Sequence, residues 1–369
     1  MNTEIETNGL KNSKNPLVSI QMITYNHVSY IGQAIESVLM QKTNFPIELV
    51  IGEDCSTDGT REIVFDYAKK YPEIIRIITS EKNVGIHENG IRTLLSCTGK
   101  YIALLEGDDY WTDPYKLQKQ VDFLEANPDY GMVYTDYDIL YERKNPVTLK
   151  ARNKYYWGKK EPPSGNIFEE LLKGNFIRTL TVCFRKKYFE NALNQGLFKN
   201  DWLQQDLIIW LEIGYYSKVK YLNKSMATYR NHQSGISRTG GSNKIINFGL
   251  NNIQIRLFFS EKYECSEQTR MILKKKYYHY LVQNILLYNG SAEAREFLKL
   301  LSETNYSDQT GRIKLLLAKN KITAKIAAII IKSKNHLLSL KNFRIPKWIL
   351  FRIYDTKAAF VNFFPEKHK

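Results

Sequence analysis

Long hydrophobic runs are missing from this chain of 369 residues. No stretch of about 18 uncharged apolar residues occurs, so no membrane-spanning helix is expected. Residues 1–16 are polar and lack the apolar core of a signal peptide, which leads us to expect a cytoplasmic protein. Cysteine is sparse. Cys55, Cys97, Cys183 and Cys265 show neither metal-ligand spacing nor a disulfide framework, as in chains of a reducing compartment. Two phosphate-binding signatures are absent as well. No G-x-G-x-x-G follows the first expected strand, which argues against a nicotinamide-dependent dehydrogenase. No G-x-x-x-x-G-K-[ST] appears, which argues against a P-loop nucleotidase. Negative charge is also short: 38 Asp and Glu stand against 53 Lys and Arg, a formal net charge of +15.

What is present can build a sizeable core, since 43% of residues are hydrophobic. The length suits one large domain or two modest ones. The basic excess is uneven: residues 321–369 carry 11 Lys or Arg against Asp355 and Glu366. Ile322, Ile326, Ile329 and Ile330 recur there at helical spacing. Trp348, Phe351, Phe360 and Phe364 follow among Arg344, Lys347, Arg352 and Lys357. A basic amphipathic segment with aromatics suits an anionic membrane surface, which would make the protein peripheral on the inner face of the cell membrane. Helices packed on the domain with lysines outward would give the same pattern. Nucleic acid is not an expected partner, because no recognised module accompanies the charge.

From residue 17 to 135 strands and helices alternate. Residues 17–23, 47–51, 74–79, 101–105 and 130–135 read as strands. Ser29 is placed to cap a helix with Ile31, Ala34, Ile35, Val38 and Leu39 on its apolar face. Thr57 or Asp58 opens a second helix, a third covers 87–97, and a fourth spans 114–127 with Pro114 in its first turn. Such alternation implies an α/β fold with a mostly parallel sheet and right-handed crossovers. Residues 136–163 read as irregular. A helix over 167–173, a strand over 181–186, a helix opened by Asp206 and a strand over 218–222 follow. Gly240-Gly241-Ser242 marks a hinge. The expected organisation is a polar segment 1–16, a domain 17–240 with halves 17–141 and 142–240, a helical region 241–318, and a basic tail 319–369. Helices are expected at 243–262, 267–288, 291–301 and 311–317, with a homodimer contact among the roles open to this region.

The chemistry centres on Glu106-Gly107-Asp108-Asp109, an acidic turn directly after the strand 101–105. Open α/β sheets bind ligands at the C-terminal ends of central strands. Carboxylates gathered there repel one another unless a cation joins them, and oxygen donors suit Mg²⁺ or Mn²⁺ beside phosphate. A solvated surface turn would look the same. Asp54, also past a strand end, has the chemistry to accept the ring N–H of a uracil or two N–H groups of a guanine; a turn or helix-capping carboxylate is the alternative. Asp206 sits where a helix N-terminus stabilises a carboxylate, as a general base toward an acceptor hydroxyl or as a plain cap.

In order and spacing together, several segments resemble an inverting GT-A glycosyltransferase of family 2, the bacterial surface-polysaccharide type. They are Val18-Ser19-Ile20 with Thr24-Tyr25-Asn26, residues 34–41, Glu53-Asp54-Cys55-Ser56-Thr57-Asp58-Gly59-Thr60, Asn83-Val84-Gly85, and Gly99-Lys100-Tyr101-Ile102 leading into Gly107-Asp108-Asp109. Gly174-Asn175-Phe176-Ile177 and Tyr229-Arg230-Asn231-His232 are similar to later family segments. The resemblance implies a Rossmann-like GT-A domain followed by a helical C-terminal region. It places Thr24, Tyr25, Asn26, Asp54, Asn83 and Asp108 on the nucleotide, with Glu53 beside them. It places Asp109 on Mn²⁺ or Mg²⁺, Asp206 as base with Asp201 as the alternative, and Arg230 or His232 on diphosphate or metal. The chain departs from the family at Glu106, where Asp is usual, and at Gln205, where Glu is common. The segment after Asn83 is short, so Asn89 and Arg92 stand in for an expected Ala-Arg-Asn. The implied function is transfer of a sugar from a nucleotide-sugar donor, UDP-linked by family analogy, to a saccharide or lipid-linked saccharide. A nucleotidyltransferase acting on sugar phosphates and a non-catalytic nucleotide-sugar or carbohydrate-binding protein are the rival readings.

Overall fold

A computed structural model describes residues 5–6, 15–142, 145–158, 160–198, 202–232 and 242–287. Strands β1 (Ile5–Glu6) and β2 (Val18–Thr24) are followed by α1 (Ile31–Leu39), β3 (Ile47–Glu53), α2 (Thr60–Lys70), β4 (Ile75–Thr79), α3 (Ile86–Ser96) and β5 (Tyr101–Glu106). Next come β6 (Tyr110–Trp111), α4 (Lys116–Ala126), β7 (Tyr130–Tyr141), β8 (Val147–Leu149), α5 (Arg152–Trp157) and α6 (Phe168–Lys173). A 3₁₀ turn (Thr179–Thr181), β9 (Cys183–Arg185), α7 (Lys187–Asn194), α8 (Gln205–Tyr216), β10 (Lys218–Asn231), α9 (Ser242–Lys262) and α10 (Glu267–Leu287) complete the described chain.

Among the described residues the strands form one sheet in the order β1-β4-β3-β2-β5-β9-β7-β10-β6, with β8 paired to β7. The β4-β3-β2-β5 block is parallel, and β7 pairs parallel with β10. From β2 the chain winds outward through β3 and β4, then returns to the other side of β2 as β5. That reversal leaves a crevice beyond the C-terminal ends of β2 and β5. The sheet is covered on both faces. One layer packs α1 and α4 on Val18, Ile20, Met22, Ile51, Ala103 and Leu105. The other packs α6 and α8 on Ile102, Leu104, Met132 and Phe184, with Trp210 edge-on to Phe184. The α1 stripe of Ile31, Ala34, Ile35 and Val38 is fully buried. Each of its larger aliphatic side chains contributes about 1.5–3 kcal/mol by burial.

Several local expectations change. The helix after β2 starts at Ile31 with Tyr30 at its cap and no side-chain cap bond, so Ser29 does not cap it. Pro114 precedes α4 rather than lying in its first turn. Asp58 serves the next helix from one residue before its cap, with Oδ1 accepting the Thr60 N–H (3.0 Å). The stretch 181–186 divides into the 3₁₀ turn and the short β9. Residues 136–141 are strand, not irregular chain. Asp136 and Asp138 hid them, and both carboxylates are buried with partners. The Asp136 Oδ1 accepts the N–H groups of Tyr137 and Asn153 (2.8 Å each), and its Oδ2 accepts the Tyr221 hydroxyl (3.0 Å). β10 likewise runs nine residues past the expected end at 222, and its pairing with β7 shifts register three times, twice with extra residues on β10. Leu222 pairs with Thr135, Ser225 with Asp136 and Thr228 with Asp138, so β10 bulges at two places.

The chain divides into two compact units, Met1–Leu273 and Lys274–Lys369. The first includes α9, whose Ile255 and Phe259 are fully buried. The helices expected at 291–301 and 311–317 and the tail 319–369 lie outside the described residues. Among those described, no helix is long and apolar enough to cross a membrane.

Candidate active site

The crevice is built from three turns that follow β2, β3 and β5. After β2, Asn26 adopts a left-handed conformation (φ 55°), which Asn tolerates better than most residues. Its N–H donates to Ser56 Oγ (3.0 Å), and its Oδ1 accepts the Thr57 N–H (2.9 Å). The next two amides also cross over: His27 N–H donates to Thr60 Oγ1 (2.7 Å) and Val28 N–H to Asp58 Oδ2 (3.0 Å). The first two turns are therefore laced together by polar bonds. Thr24 is buried between them, while Tyr25 is 44% exposed at the mouth.

After β3 the structure turns Glu53 inward. Its carboxylate is fully buried, accepting the Ser56 N–H (2.6 Å), the Cys55 N–H (3.2 Å) and the Thr79 hydroxyl (3.0 Å). Glu53 shapes the turn rather than facing the crevice. Asp54 accepts two successive amides, Val84 N–H at Oδ1 (2.8 Å) and Gly85 N–H at Oδ2 (3.0 Å), and Asn83 Nδ2 donates to its carbonyl (3.2 Å). The Arg92 guanidinium lies 3.8 Å from Asp54 Oδ1. Asn89 and Arg92 are buried on α3. Asn89 Nδ2 donates to Gly52 O (2.8 Å), Arg92 donates to Asn89 Oδ1 (2.9 and 3.0 Å), and Arg92 Nη2 reaches Glu53 O (3.1 Å). These two side chains brace the end of β3 from below.

After β5 the β2–β5 seam continues one step, with Gly107 N–H donating to Ile23 O (2.9 Å). A Cβ at Gly107 would lie 2.7 Å from Thr24 Oγ1 and 2.8 Å from Thr24 Cβ, so only glycine fits. This close approach sets Asp108 and Asp109 against the β2 turn. The far end of β10 completes the site. The Arg230 N–H donates to Asp109 Oδ1 (2.7 Å), and Arg230 Nη1 donates to the Asp108 carbonyl (3.0 Å). The Arg230 guanidinium is flanked by the rings of Tyr110 (4.6 Å) and Tyr30 (5.1 Å), meets Glu142 Oε1 at 3.2 Å, and donates to Gln33. His232 Nε2 lies 3.0 Å from Asp108 Oδ2, and His27 Nε2 lies 3.9 Å from the same oxygen.

The carboxylates of this turn differ in charge state. Burial favours the neutral form of Asp108, but the His232 hydrogen bond and the two nearby imidazoles outweigh it and hold the carboxyl below its usual range. Burial pushes Asp109 well above its usual range, and the charges of Asp108 and Glu106 add to the effect. Burial raises Glu106 to about 7, against the pull of its Thr179 hydrogen bond. Burial also raises Asp206, opposed by the Leu207 N–H, the Arg178 charge and Asn175. Asp206 lies close enough for its charge to raise Glu106 further. Asp201 lies outside the described residues.

A divalent cation fits this turn electrostatically. Glu106 Oε2 is buried without a hydrogen-bond partner, and Asp109 is held well above its usual range by burial first and by the Asp108 and Glu106 charges second. Among the described residues, however, no three His, Cys, Asp or Glu side chains form a ready cage. An all-oxygen, incomplete donor set is what Mg²⁺ or Mn²⁺ accepts when phosphate oxygens and water supply the rest.

Comparison with known proteins gives this geometry a family. A model described as glycosyl transferase family 2 matches residues 19–197. TuaG of Bacillus subtilis, provisionally named a teichuronic acid biosynthesis glycosyltransferase, is 30% identical over 223 residues, covering 60% of this chain and 82% of TuaG. The chain belongs to glycosyl transferase family 2. Another relative in this family 2 comparison is WfgD of Escherichia coli, a UDP-Glc:alpha-D-GlcNAc-diphosphoundecaprenol beta-1,3-glucosyltransferase. It is 29% identical over 223 residues, or 60% of this chain and 79% of WfgD. An uncharacterized protein of Mycobacterium tuberculosis is 34% identical over 223 residues, or 59% of this chain, and the match spans 60% of that protein's length. Staphylococcus aureus TarS 1–349, crystallised with UDP-GlcNAc, shares the fold at a TM-score of 0.56 and 14% identity, with 89% of this chain and 94% of that one covered.

The sequence reading of this family 2 chain missed His27, Tyr30, Glu142, Arg178 and Thr179. His27 sits three residues after Thr24 in the same turn, and the hydroxyl of Thr24 and His27 Nδ1 are 3.2 Å apart. That spacing was visible in the sequence. Glu142, which pairs with Arg230 and accepts the Tyr30 hydroxyl (2.8 Å), carried no such signal.

Proposed function

We propose that this chain transfers a sugar from a nucleotide-diphosphate donor to the hydroxyl of a saccharide or lipid-linked saccharide, with inversion and with Mn²⁺ or Mg²⁺ as cofactor. The observation that carries the reading is the carboxylate set Glu106, Asp108 and Asp109 at the sheet's switch point, Asp109 buried and the other two half-buried, with the charge of Asp206 felt at Glu106. Membership in family 2 supports glycosyl transfer, and the UDP-Glc in the name of WfgD supports a UDP-sugar. Thr24, Tyr25 and Asn26 would wall the nucleoside pocket. Asp54 would meet the base through lone pairs left over by the Val84 and Gly85 amides. Asp108, held ionised by His232, would take the ribose or diphosphate side. When bound, the cation would neutralise charge on the departing diphosphate; Asp109 and Glu106 would hold it. Arg230, with its backbone N–H on Asp109, would fix that carboxylate's orientation.

Asp206 would accept the acceptor hydroxyl's proton. The hydroxyl oxygen then bonds to the anomeric carbon from the face opposite the diphosphate, and the bond to the diphosphate oxygen breaks with its electron pair. One such displacement inverts the carbon without a covalent enzyme intermediate. The basic tail 319–369 would hold the protein at an anionic membrane surface where a lipid-linked acceptor resides. The helical region 241–318 is available for a homodimer contact.

The test is product analysis with a panel of UDP-, GDP- and dTDP-sugars, with and without Mn²⁺. Free nucleoside diphosphate released only with the cation supports the reading. Release of pyrophosphate would favour a nucleotidyltransferase, and binding without turnover would favour a carbohydrate-binding protein.

A further inference from the structure

Directly after the acidic turn, three side chains enter the protein interior and converge on one short segment. Trp111 of β6 is buried, and its Nε1 donates to Leu180 O (2.9 Å). Gln120 of α4 is fully buried, and its Nε2 donates to Thr181 O (2.9 Å) as well as Val133 O (3.2 Å). Lys116 of α4 is fully buried too. Its Nζ donates to Gln120 Oε1 (2.8 Å), lies 3.5 Å from Val182 O, and sits 4.3 Å from the centre of the Trp111 ring. Three successive carbonyls, 180, 181 and 182, are thus each held by a different side chain from 111–120.

A buried lysine is an expensive way to satisfy one carbonyl. Burial pulls the Lys116 ammonium down to about 7, with Asp113 and the Cys183 thiol the groups that oppose it. An apolar side chain could fill the same volume, so the polar contacts are specific to position rather than to bulk. The clasped segment is the 3₁₀ turn that carries Arg178 and Thr179 at its head. It is closed by the Thr181 N–H and hydroxyl, both donating to Arg178 O (3.0 and 2.6 Å). Thr179 hydrogen-bonds Glu106, and the Arg178 charge acts on Asp206.

We propose that Trp111, Lys116 and Gln120 are positioning residues: a buried clasp that fixes the Arg178–Thr179 wall of the crevice relative to the acidic turn. The clasp couples the turn that holds the leaving group to the wall that orients Glu106 and Asp206. Its role in turnover rests on the glycosyl-transfer reading; the clasp itself does not.

The test compares wild type with Lys116→Met, which keeps length and apolar volume, and with Gln120→Leu, all as the full chain. Three quantities are measured: amide hydrogen exchange across 178–183, UDP affinity by calorimetry with Mn²⁺, and UDP release from UDP-glucose, UDP-galactose and UDP-GlcNAc. Both variants are expected to exchange 178–183 about tenfold faster, since local opening loses its tie. UDP affinity stays at the wild-type value, while UDP release falls on the order of tenfold or more through misplacement of reacting groups. A fall in UDP affinity matching the fall in release would mean general damage and would overturn the clasp. So would unchanged exchange, or faster exchange with undiminished release. If wild type releases no UDP from any of the donors, the donor reading fails, and exchange alone decides the clasp.

Discussion

At the scale of single residues, the two carboxylates most exposed to test are Asp206 and Glu106. Asp206 is raised by burial, opposed by the Leu207 N–H in the first turn of α8, which suits a group proposed to take up a proton and give it back. Replacing Asp206 with Asn keeps the shape and removes the proposed base. Turnover is expected to fall about 10²–10⁴-fold with nucleotide affinity unchanged; wild-type turnover in D206N would remove Asp206 from the mechanism. Glu106 carries a pH signature. Its carboxyl ionises at about 7 in the fold against an ordinary 4.5, so the folded chain binds this proton more tightly than the unfolded chain does. Its contribution to stability is therefore fullest below the ordinary value and is lost as pH rises through 7. Melting temperature without metal should fall from pH 5 to pH 8, and Mn²⁺ should restore more of it at pH 8 than at pH 5. A Mn²⁺ effect independent of pH would separate the cation from these carboxylates. The sequence made the acidic turn legible because three carboxylates and a glycine follow an apolar run. It did not reveal that Glu53 is spent inside the turn, because a buried and an exposed carboxylate are written with the same letter.

At the scale of elements, the helices α7, α8 and α9 meet on one carboxylate. Glu212 Oε1 accepts Asn191 Nδ2 and Gln195 Nε2 (2.6 Å each), and its Oε2 accepts the Tyr263 hydroxyl (2.7 Å). Tyr263→Phe leaves that oxygen without its donor, a loss of about 1–3 kcal/mol. At about 2–4 °C per kcal/mol for a domain of this size, calorimetry should detect the drop. Nucleotide affinity should not move, since the Tyr263 ring packs against Phe168 and Tyr215 and its hydroxyl is taken by Glu212. A stable Y263F protein would mean that apolar packing alone holds α9. The elements up to residue 135 were readable from periodicity, as the uninterrupted apolar runs of a buried parallel block allow. The later half of β7 and most of β10 were not. The β7 carboxylates Asp136 and Asp138 find partners at Asn153, Ala151 and Ser225, well beyond the reach of a local pattern.

At the scale of the whole molecule, the fold class and the crevice could be anticipated, but the closure of the site could not. Arg230 and Asp109 meet because β10 pairs antiparallel with β6, which directly follows Asp109. The uneven charge belongs to this scale too. Residues 321–369 carry 11 Lys or Arg and two acids. We expect the full chain to sediment with phosphatidylglycerol vesicles at low ionic strength and to be released at 1 M salt, where the screening length is about 3 Å. Failure to bind such vesicles, or equal binding to phosphatidylcholine ones, would rule out an electrostatic membrane role for the tail.

The two bulges of β10 have a consequence for how such proteins diversify. Between Leu222 and Thr228 six steps of β10 run beside three of β7. The surplus is odd, so it resets which side chains beyond it point at the crevice. Removing one residue there would slide the register by a single step and swing Arg230 and His232 away from Asp109 and Asp108. A length change of one codon would then part the end of β10 from the acidic turn without altering either aspartate.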